Sequence, residues 1–182
     1  MLEGKLVRLR PLEPEDLEHA YTWMNDPEAT YFLGMRYPIS RVEEERWLRE
    51  AASANDFAHG LRLAIETKEG RLIGNIGLHS PSPEDRRAIL GIVIGEPEYW
   101  SKGYGADAIM TVLRFAFHQM NLNRVSLEAF ENNERAMACY RKCGFREEGR
   151  LRQDRFKHGR YCDAIVMGIL REEFEALPEE TP

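Results

Sequence analysis

The 182-residue sequence has few cysteines, no long hydrophobic run and no excess of basic residues. Its three cysteines, at positions 139, 143 and 162, are an odd number without zinc-site spacing, which argues against a disulfide framework or a structural metal. No stretch approaches the roughly 20 apolar residues that a membrane-spanning helix needs. Because 31 acidic residues outnumber 25 Lys and Arg, giving a net charge of −6, a long basic surface for nucleic acid is not expected.

Other features that the sequence lacks exclude further classes of protein. The N-terminal residues are charged and lack the apolar core of a secretory signal, so we expect a soluble, cytoplasmic protein with no membrane partner. The five histidines show no metal-ligand spacing, so no bound metal is expected. A Gly-x-x-x-x-Gly-Lys-Ser/Thr nucleotide loop does not occur. With 43% hydrophobic and 31% charged residues, the chain has the composition of one globular domain.

Hydrophobic periodicity predicts alternating helices and strands. We expect, in order, a strand over 5–10, helices over 14–25 and from Ser40 to about Ala54, strands over 61–65, 72–78 and 88–94, a helix over 105–121, a strand over 124–130, a helix over 133–143, and a hairpin of strands 145–154 and 160–170. The long amphipathic helix joins two strands in a strand–helix–strand crossover from Ala88 to Phe130. The pattern therefore predicts a mixed α/β sheet.

Two glycines, two positions apart, lead directly into the long predicted helix. Glycine lets a ligand approach the backbone closely, and a helix N-terminus offers unpaired N–H groups and a partial positive charge that suit phosphate. The segment therefore predicts a phosphate or pyrophosphate cradle made of Ser101, Lys102, Gly103, Tyr104, Gly105 and Ala106. An ordinary glycine-rich loop before a helix would give the same pattern.

The same segment also matches the Gly-x-Gly-x-x-Ala of dinucleotide-binding folds. Glu128 lies 23 residues after Gly105, close to the usual distance of a ribose-binding acid. That motif, however, normally begins where its strand ends, whereas here residues 95–102 intervene. An NAD(P)-dependent oxidoreductase is thus one alternative, and a protein that binds a different phosphate ligand is the other.

Two motifs taken together resemble the GNAT superfamily of N-acetyltransferases. Trp100-Ser101-Lys102-Gly103-Tyr104-Gly105 is similar to the family's acetyl-coenzyme A loop, Gln/Arg-x-x-Gly-x-Gly/Ala, except that Trp100 replaces Gln or Arg. A later Asn…Tyr…Gly-Phe motif is matched by Asn133, Ala136, Tyr140, Gly144 and Phe145. The segments 23–27 and 159–163 resemble the ribosomal-protein N-terminal acetyltransferase (Rim-type) branch. The resemblance covers about residues 5–173.

The resemblance implies a GNAT-like α/β fold with a mixed, mostly antiparallel sheet, a central parallel strand pair and helices on both faces. It implies one N-acetyltransferase domain over 5–173, followed by a C-terminal tail over 174–182. The expected reaction is direct acetyl transfer from acetyl-CoA to a primary amine, either a protein N-terminus or a small amine such as a polyamine, amino acid or aminoglycoside. A non-enzymatic CoA-binding module is the other reading. Homodimers are frequent in the family.

The family's functional residues fall on particular positions of this chain. In the family, a tyrosine matched by Tyr140 protonates the departing thiolate, and an asparagine matched by Asn133 hydrogen-bonds the pantetheine arm. Main-chain groups of the preceding strand, about Ile92 to Ile94, hold the pantetheine amides and the thioester, and Lys142 would meet a cofactor phosphate. Plainer readings are a packed aromatic for Tyr140, a helix N-cap for Asn133 and a solvated lysine for Lys142.

The base and the acceptor pocket are less clearly marked in the sequence. Glu96 follows the cofactor-side strand and is the candidate base that takes the amine proton, directly or through water, with a solvated loop residue as the alternative. Cys139 suggests an acyl-cysteine intermediate, but no histidine stands near it in sequence and the family mostly uses direct transfer. Four aromatic residues would line the acceptor pocket or belong to the core: Trp23, Tyr31, Phe32 and Tyr37.

Overall fold

The computed structural model describes residues 1–53, 55–56 and 59–178. Its eight strands are β1 (Leu2–Glu3), β2 (Val7–Pro11), β3 (Leu61–Thr67), β4 (Leu72–Ser82), β5 (Arg87–Ile94), β6 (Arg124–Phe130), β7 (Arg146–Lys157) and β8 (Arg160–Leu170). Its five α-helices are α1 (Leu17–Asn25), α2 (Arg41–Ser53), α3 (Tyr104–His118), α4 (Glu134–Lys142) and α5 (Arg171–Glu175). Short 3₁₀ turns at Pro14–Asp16 and Pro97–Tyr99 lead toward α1 and α3.

The strands form one sheet in the order β1-β2-β3-β4-β5-β6-β8-β7. Neighbouring strands are antiparallel throughout the described chain except β5 and β6, which run parallel and are joined by α3. The predicted mixed, mostly antiparallel sheet with a central parallel pair is therefore confirmed. A doubly wound dinucleotide-binding sheet needs a series of parallel strands, so the oxidoreductase alternative does not fit this topology.

Helices cover both faces of the sheet. On one face α3 buries an apolar stripe that includes Ile109, Leu113 and Phe117, together with Ile65 of β3. On the other face Trp23 of α1 and Leu48 of α2 pack with Ala64. Because side chains alternate across a strand, the neighbours Ala64 and Ile65 point to opposite faces and separate the two cores. No helix in the described part of the chain is long and apolar enough to span a membrane.

Several elements end at residues other than those predicted. The long helix ends at His118 rather than at 121, because Asn121 has a positive φ of 55° that is incompatible with a right-handed helix. Strand β4 extends to Ser82 and the first strand of the hairpin to Lys157. The second helix starts with the predicted Ser40–Glu43 capping box, but its expected end at Ala54 lies outside the described residues.

Both chain ends add elements that the periodicity did not predict. Strand β1 pairs Leu2 with Leu9 of β2. Helix α5 packs Phe174 against Phe117, with ring centroids 5.2 Å apart, so the packed structure extends into the segment 174–182 expected as a tail. Sequence periodicity could not detect these elements because two residues of strand and five of helix are too short to show a period.

A buried carboxylate fixes the start of α3, which matters for the site. Asp107, in the first turn of α3, accepts hydrogen bonds from the backbone N–H groups of Lys5, Leu6 and Val7 at 2.9, 2.6 and 2.9 Å. Three such bonds satisfy the charge of a side chain that is only 5% exposed. The N-terminal turn is thereby tied to the helix end that carries the predicted phosphate cradle.

Candidate active site

The central parallel strands diverge and open a cavity. Pairing between β5 and β6 covers only Arg87–Ile89 against Arg124–Ser126, although β5 continues to Ile94 and β6 to Phe130. Beyond these three pairs, β5 stays paired with β4, but its other edge no longer pairs with β6. The gap is part of a cavity of about 1040 Å³, whose lining includes Ile92, Ile94 and Tyr140. A cavity of this size accommodates a large cofactor arm and a second substrate.

The predicted cradle lies at one side of this cavity. Gly103 is the N-cap of α3 with φ 92°, a left-handed conformation that glycine adopts without strain, and Ser101 before it also has a positive φ of 58°. No side chain in the described residues caps this helix. Its first-turn N–H groups have no intrahelical acceptor, and the positive end of the helix dipole lies at the cavity.

Not every predicted cradle residue contributes a side chain. Ser101, Gly103, Gly105 and Ala106 line the cavity. Lys102 and Tyr104 do not; the Tyr104 ring packs edge-on against Tyr99, with centroids 4.9 Å apart. A Cβ at Gly105 would meet only Cys139 Sγ and Ile94 Cγ1, both at 3.9 Å, so any larger side chain there would project into the cavity.

Trp100, which stands where the family loop has Gln or Arg, makes two contacts at the site. Its indole N–H donates to the carbonyl of Ile94 at 2.8 Å and so joins the loop to the end of β5. The guanidinium of Arg135, on the first turn of α4, lies over the indole ring with Cζ 3.8 Å from the centroid. Arg135 also lines the cavity and was missed by sequence reasoning, because its position opposite Trp100 depends on tertiary packing.

Helix α4 places Asn133 and Tyr140 on the same cavity. Asn133 is the N-cap, since its Oδ1 accepts from the Ala136 N–H at 3.2 Å, and it also lines the cavity, so the structural and binding readings are compatible. Tyr140 is partly buried and packs against Phe145 with ring centroids 6.1 Å apart. Burial, and secondarily the thiols of Cys139 and Cys143, raises the pKa of the Tyr140 phenol above its usual range. The phenol therefore keeps its proton at neutral pH.

Cys139 and Lys142 also line the cavity, from the same helix. A hydrogen bond with Cys143 is the main cause that lowers the pKa of the Cys139 thiol, so its partner is another thiol and not a histidine. An acyl-cysteine route through a base-activated thiol has no base among the described contacts of Cys139.

The structure does not bring Glu96 to the cavity. Its Oε1 accepts from the Trp23 indole N–H at 3.0 Å, and its Oε2 lies 3.6 Å from Arg71. Glu96 is not among the lining residues of the cavity that contains Tyr140. The carboxylate thus joins α1 to the segment that follows β5, and the role of base expected for Glu96 stays a prediction.

The remaining wall of the cavity comes from segments far apart in sequence. We call residues 26–40, between α1 and α2, the acceptor loop; it contributes Glu28, Phe32, Leu33 and Gly34. Opposite them lie Glu128 and Phe130 of β6, with the two Phe rings 6.4 Å apart. Of the four aromatic residues considered from the sequence, Phe32 alone lines this cavity. Trp23 is buried between α1 and α2, Tyr31 is partly exposed, and Tyr37 is 81% exposed.

Several charged and titratable side chains line the cavity near the acceptor loop, and the sequence did not predict that they would lie together. Glu128 forms an ion pair with Arg155 of β7, and Glu28 and Arg62 also reach the lining. His79 of β4 lines the cavity close to Gly91, where a Cβ would come within 2.7 Å of the imidazole Cε1. Burial, helped by the charge of Arg62, lowers the pKa of His79 below its usual 6.5. Glu128 was noted from the sequence only as a ribose-binding acid, a role that the topology removes.

Comparisons with known proteins agree on one family. The family model described as an acetyltransferase (GNAT) domain matches residues 7–146. A spermidine N(1)-acetyltransferase of Vibrio cholerae is 34% identical over 169 residues, covering 92% of this chain and 95% of that protein. YdaF of Bacillus subtilis, whose name assigns it provisionally to the ribosomal N-acetyltransferases, is 32% identical over 177 residues, 93% of each chain.

A solved structure shares the fold over nearly the whole length. The crystal structure of spermidine N-acetyltransferase from Vibrio cholerae, in complex with CoA and spermine, superposes with a TM-score of 0.86 at 28% sequence identity. The match covers 94% of this chain and 99% of that one. The overall fold of this chain is therefore similar to that of a protein crystallised with CoA and spermine.

Proposed function

We propose that this chain, which belongs to the GNAT family and is an acetyl-CoA-dependent N-acetyltransferase, transfers the acetyl group to a small polyamine. The observation that carries the proposal is the 34% identity, over 92% of this chain, to a spermidine N(1)-acetyltransferase. The cavity holding Tyr140 also presents two carboxylates, Glu28 and Glu128, the second of which is paired with Arg155. A polyamine has several ammonium groups to neutralise, whereas a peptide N-terminus has one. Similarity to spermidine acetyltransferases supports the same acceptor class.

The residues of the cavity fit a coenzyme A. The uncapped first turn of α3 would accept the pyrophosphate through N–H groups of residues 103–106. Main-chain groups of β5 around Ile92 would hold the pantetheine amides, as would the side-chain amide of Asn133. Lys142 and Arg135 supply cations on the α4 side of the same cavity. Acetyl-CoA bound there supplies an activated thioester.

Removal of a proton from the acceptor is the first chemical requirement. An alkylammonium has a pKa of about 10, and its nitrogen attacks only after deprotonation. We assign this step to His79, acting directly or through a water, because its lowered pKa keeps the imidazole neutral at pH 7. Glu96 takes no part in this scheme, since its carboxylate is held by Trp23 and Arg71 outside the cavity.

Bond exchange at the thioester is the second requirement. The neutral amine attacks the carbonyl carbon, the C–N bond forms, the nitrogen loses its second proton to water, and the C–S bond breaks. Main-chain N–H groups of the released edge of β5 would stabilise the charge that develops on the carbonyl oxygen. We assign protonation of the departing thiolate to Tyr140, whose buried phenol is still protonated at neutral pH and regains its proton from solvent after the product leaves.

The test measures the rate at which the CoA thiol is released from acetyl-CoA in the presence of each amine of a panel. The panel contains spermidine, spermine, an aminoglycoside and peptides with free N-termini, since the Rim-type motifs and the similarity to YdaF favour a protein N-terminus as the second candidate. We expect a kcat/KM for spermidine or spermine at least about tenfold above that of any peptide, equivalent to about 1.4 kcal/mol. A preference for peptides, or turnover of none of the amines, would overturn the polyamine assignment.

A further inference from the structure

The acceptor loop lacks regular secondary structure where it forms the cavity wall. Residues 30–34 are held locally by turn hydrogen bonds, for example from the Thr30 N–H to the Asp26 carbonyl at 3.0 Å and from the Leu33 N–H to the Thr30 carbonyl at 3.0 Å. Such turns give the segment its shape but do not attach it to the sheet. Its attachment comes from the tip of the hairpin formed by β7 and β8.

Lys157, the last residue of β7, reaches across to this loop. Its ammonium donates to the backbone carbonyls of Thr30, at 2.6 Å, and of Leu33. The same ammonium lies 5.9 Å from the centre of the Phe130 ring. Burial, with the nearby charge of Arg36, lowers the pKa of Lys157, whose contact with the loop is partly buried. Hydrogen bonds from a charged donor are the stronger kind, so this side chain is a substantial link.

The next residue makes a second link to the same loop. The imidazole of His158 stacks on the Tyr31 ring with centroids 4.3 Å apart and an interplanar angle of 14°. Tyr31 in turn contacts Phe32 edge-on at 4.7 Å, and Phe32 faces Phe130 across the cavity. Two consecutive residues of the hairpin tip therefore fix the loop on both sides of the aromatic wall.

We propose that Lys157 is a positioning residue that sets the acceptor wall of the cavity through the carbonyls of Thr30 and Leu33. The proposal rests on the proposed function, because it assigns this wall to the amine. Lys157 is not among the residues that line the main cavity, so it acts through the loop rather than on the substrate. Loss of the link should loosen Phe32 and Leu33 and weaken acceptor binding, while the α3 cradle on the other side keeps its geometry.

The kinetic test compares Lys157→Met, which keeps the aliphatic stem but removes the donors, with Lys157→Arg, which restores them. We expect Lys157→Met to raise the KM for spermidine about tenfold, the range for hydrogen bonds from a charged group, with the KM for acetyl-CoA unchanged within about twofold. Lys157→Arg should recover most of the loss. Lys68→Met, the same change at the turn between β3 and β4, removes a donor to Glu3 Oε2 at 2.6 Å instead, and this matched control should leave both constants unchanged.

Two kinetic results would overturn the proposal. One is an unchanged KM for spermidine in Lys157→Met. The other is an equal rise of both KM values, which would show general destabilisation instead of loss of the acceptor wall.

Amide hydrogen exchange separates this inference from the proposed function. Peptides covering residues 28–36 should exchange faster in Lys157→Met than in the wild type, with no change in peptides covering 101–112, and this readout needs no substrate. Unchanged exchange over 28–36 would overturn the link itself. If the wild type acetylates no amine in the panel, the proposed function fails and the effect on acceptor binding fails with it, but exchange still decides whether Lys157 fixes the loop.

Discussion

The two ends of the cavity are built in different ways. The cofactor end consists of backbone: a left-handed Gly103, the uncapped first turn of α3 and the released edge of β5. The acceptor end consists of side chains, Glu28, Phe32 and others, on a loop without regular structure that Lys157 holds from a distant hairpin. A backbone cradle is disrupted mainly by adding atoms, whereas a wall of side chains is altered by exchanging one residue. Added atoms should therefore impair the first end, and single exchanges of side chains the second.

Tyr140 lines the cavity from α4, and its loss should have the largest effect. Tyr140→Phe removes the proton donor to the thiolate while keeping the ring that packs on Phe145. We expect kcat to fall about 100-fold, within the usual range for a positioned acid, with the Kd for CoA changed less than threefold. Steady-state kinetics and calorimetric CoA binding measure the two quantities. Tyr37→Phe, at an exposed tyrosine outside the cavity, is the matched control, and an unaltered kcat in Tyr140→Phe would remove the phenol from the mechanism.

The cofactor end is broken most simply at Gly105. Gly105→Val would place methyl groups between Ile94 and Cys139, inside the space for the pyrophosphate arm. We expect the Kd for CoA to rise about 30-fold, equivalent to about 2 kcal/mol of overpacking. Gly105→Ala is the control, since its Cβ makes only ordinary contacts at 3.9 Å and should cost less than threefold. Equal CoA binding by the valine variant and the wild type would mean that the cradle lies elsewhere.

The two candidate bases can be compared directly. His79→Gln should lower kcat/KM roughly tenfold, less than the typical loss of a general base because water remains available to take the proton. Because the pKa of His79 is lowered in the folded protein, the imidazole becomes protonated only below pH 6.5, so the acidic limb of the wild-type profile should lie below that pH and be lost in the variant.

Glu96→Gln provides the comparison with His79→Gln. It should leave the profile unchanged and instead lower the free energy of unfolding by about 1 kcal/mol, through the weakened bond from Trp23. A larger loss of turnover in Glu96→Gln than in His79→Gln would reverse the assignment of the base.

Removing a single charge at the acceptor end should have only a small effect on acceptor binding. Glu28→Gln should raise the KM for spermidine about threefold, because an exposed carboxylate contributes no more than about 1 kcal/mol to an ion pair. The KM for acetyl-CoA should not change. Glu50→Gln, the same substitution on the exposed side of α2, serves as the control. An identical KM for spermidine in Glu28→Gln and the wild type would exclude this carboxylate from the acceptor end.

Sequence reasoning reached the cofactor end because its signals are local. The glycine pair before α3, the cap at Asn133 and the position of Tyr140 are encoded within short segments, and the structure places them on one cavity. The parallel pair was implied by the family resemblance and agrees with the crossover through α3, whereas the strand order was not predicted. Trp100 was recognised as a departure, although its bond to Ile94 and the stacking of Arg135 on it were not foreseeable without tertiary contacts.

The acceptor end could not be predicted from local sequence patterns, because its contacts join residues that are far apart in the chain. Lys157 and Thr30 are 127 residues apart, and nothing in the alternation of a hairpin shows that its tip reaches a loop near the N-terminus. Glu96 was the natural candidate base from its place after β5, but the Trp23 indole that holds its carboxylate is 73 residues away. His79 was passed over because a lone histidine in a strand has no spacing signal.

Affinity for a bisubstrate conjugate, spermidine joined to the sulfur of CoA through an acetyl bridge, tests most directly whether the two ends serve one reaction. If the α3 cradle and the acceptor wall are parts of one continuous cavity, the conjugate occupies both, and its Kd should be at least about tenfold lower than that of CoA measured under the same conditions. A conjugate that binds no more tightly than CoA would contradict the account, because the polyamine would then gain nothing from Glu28, Glu128 and the wall that faces them.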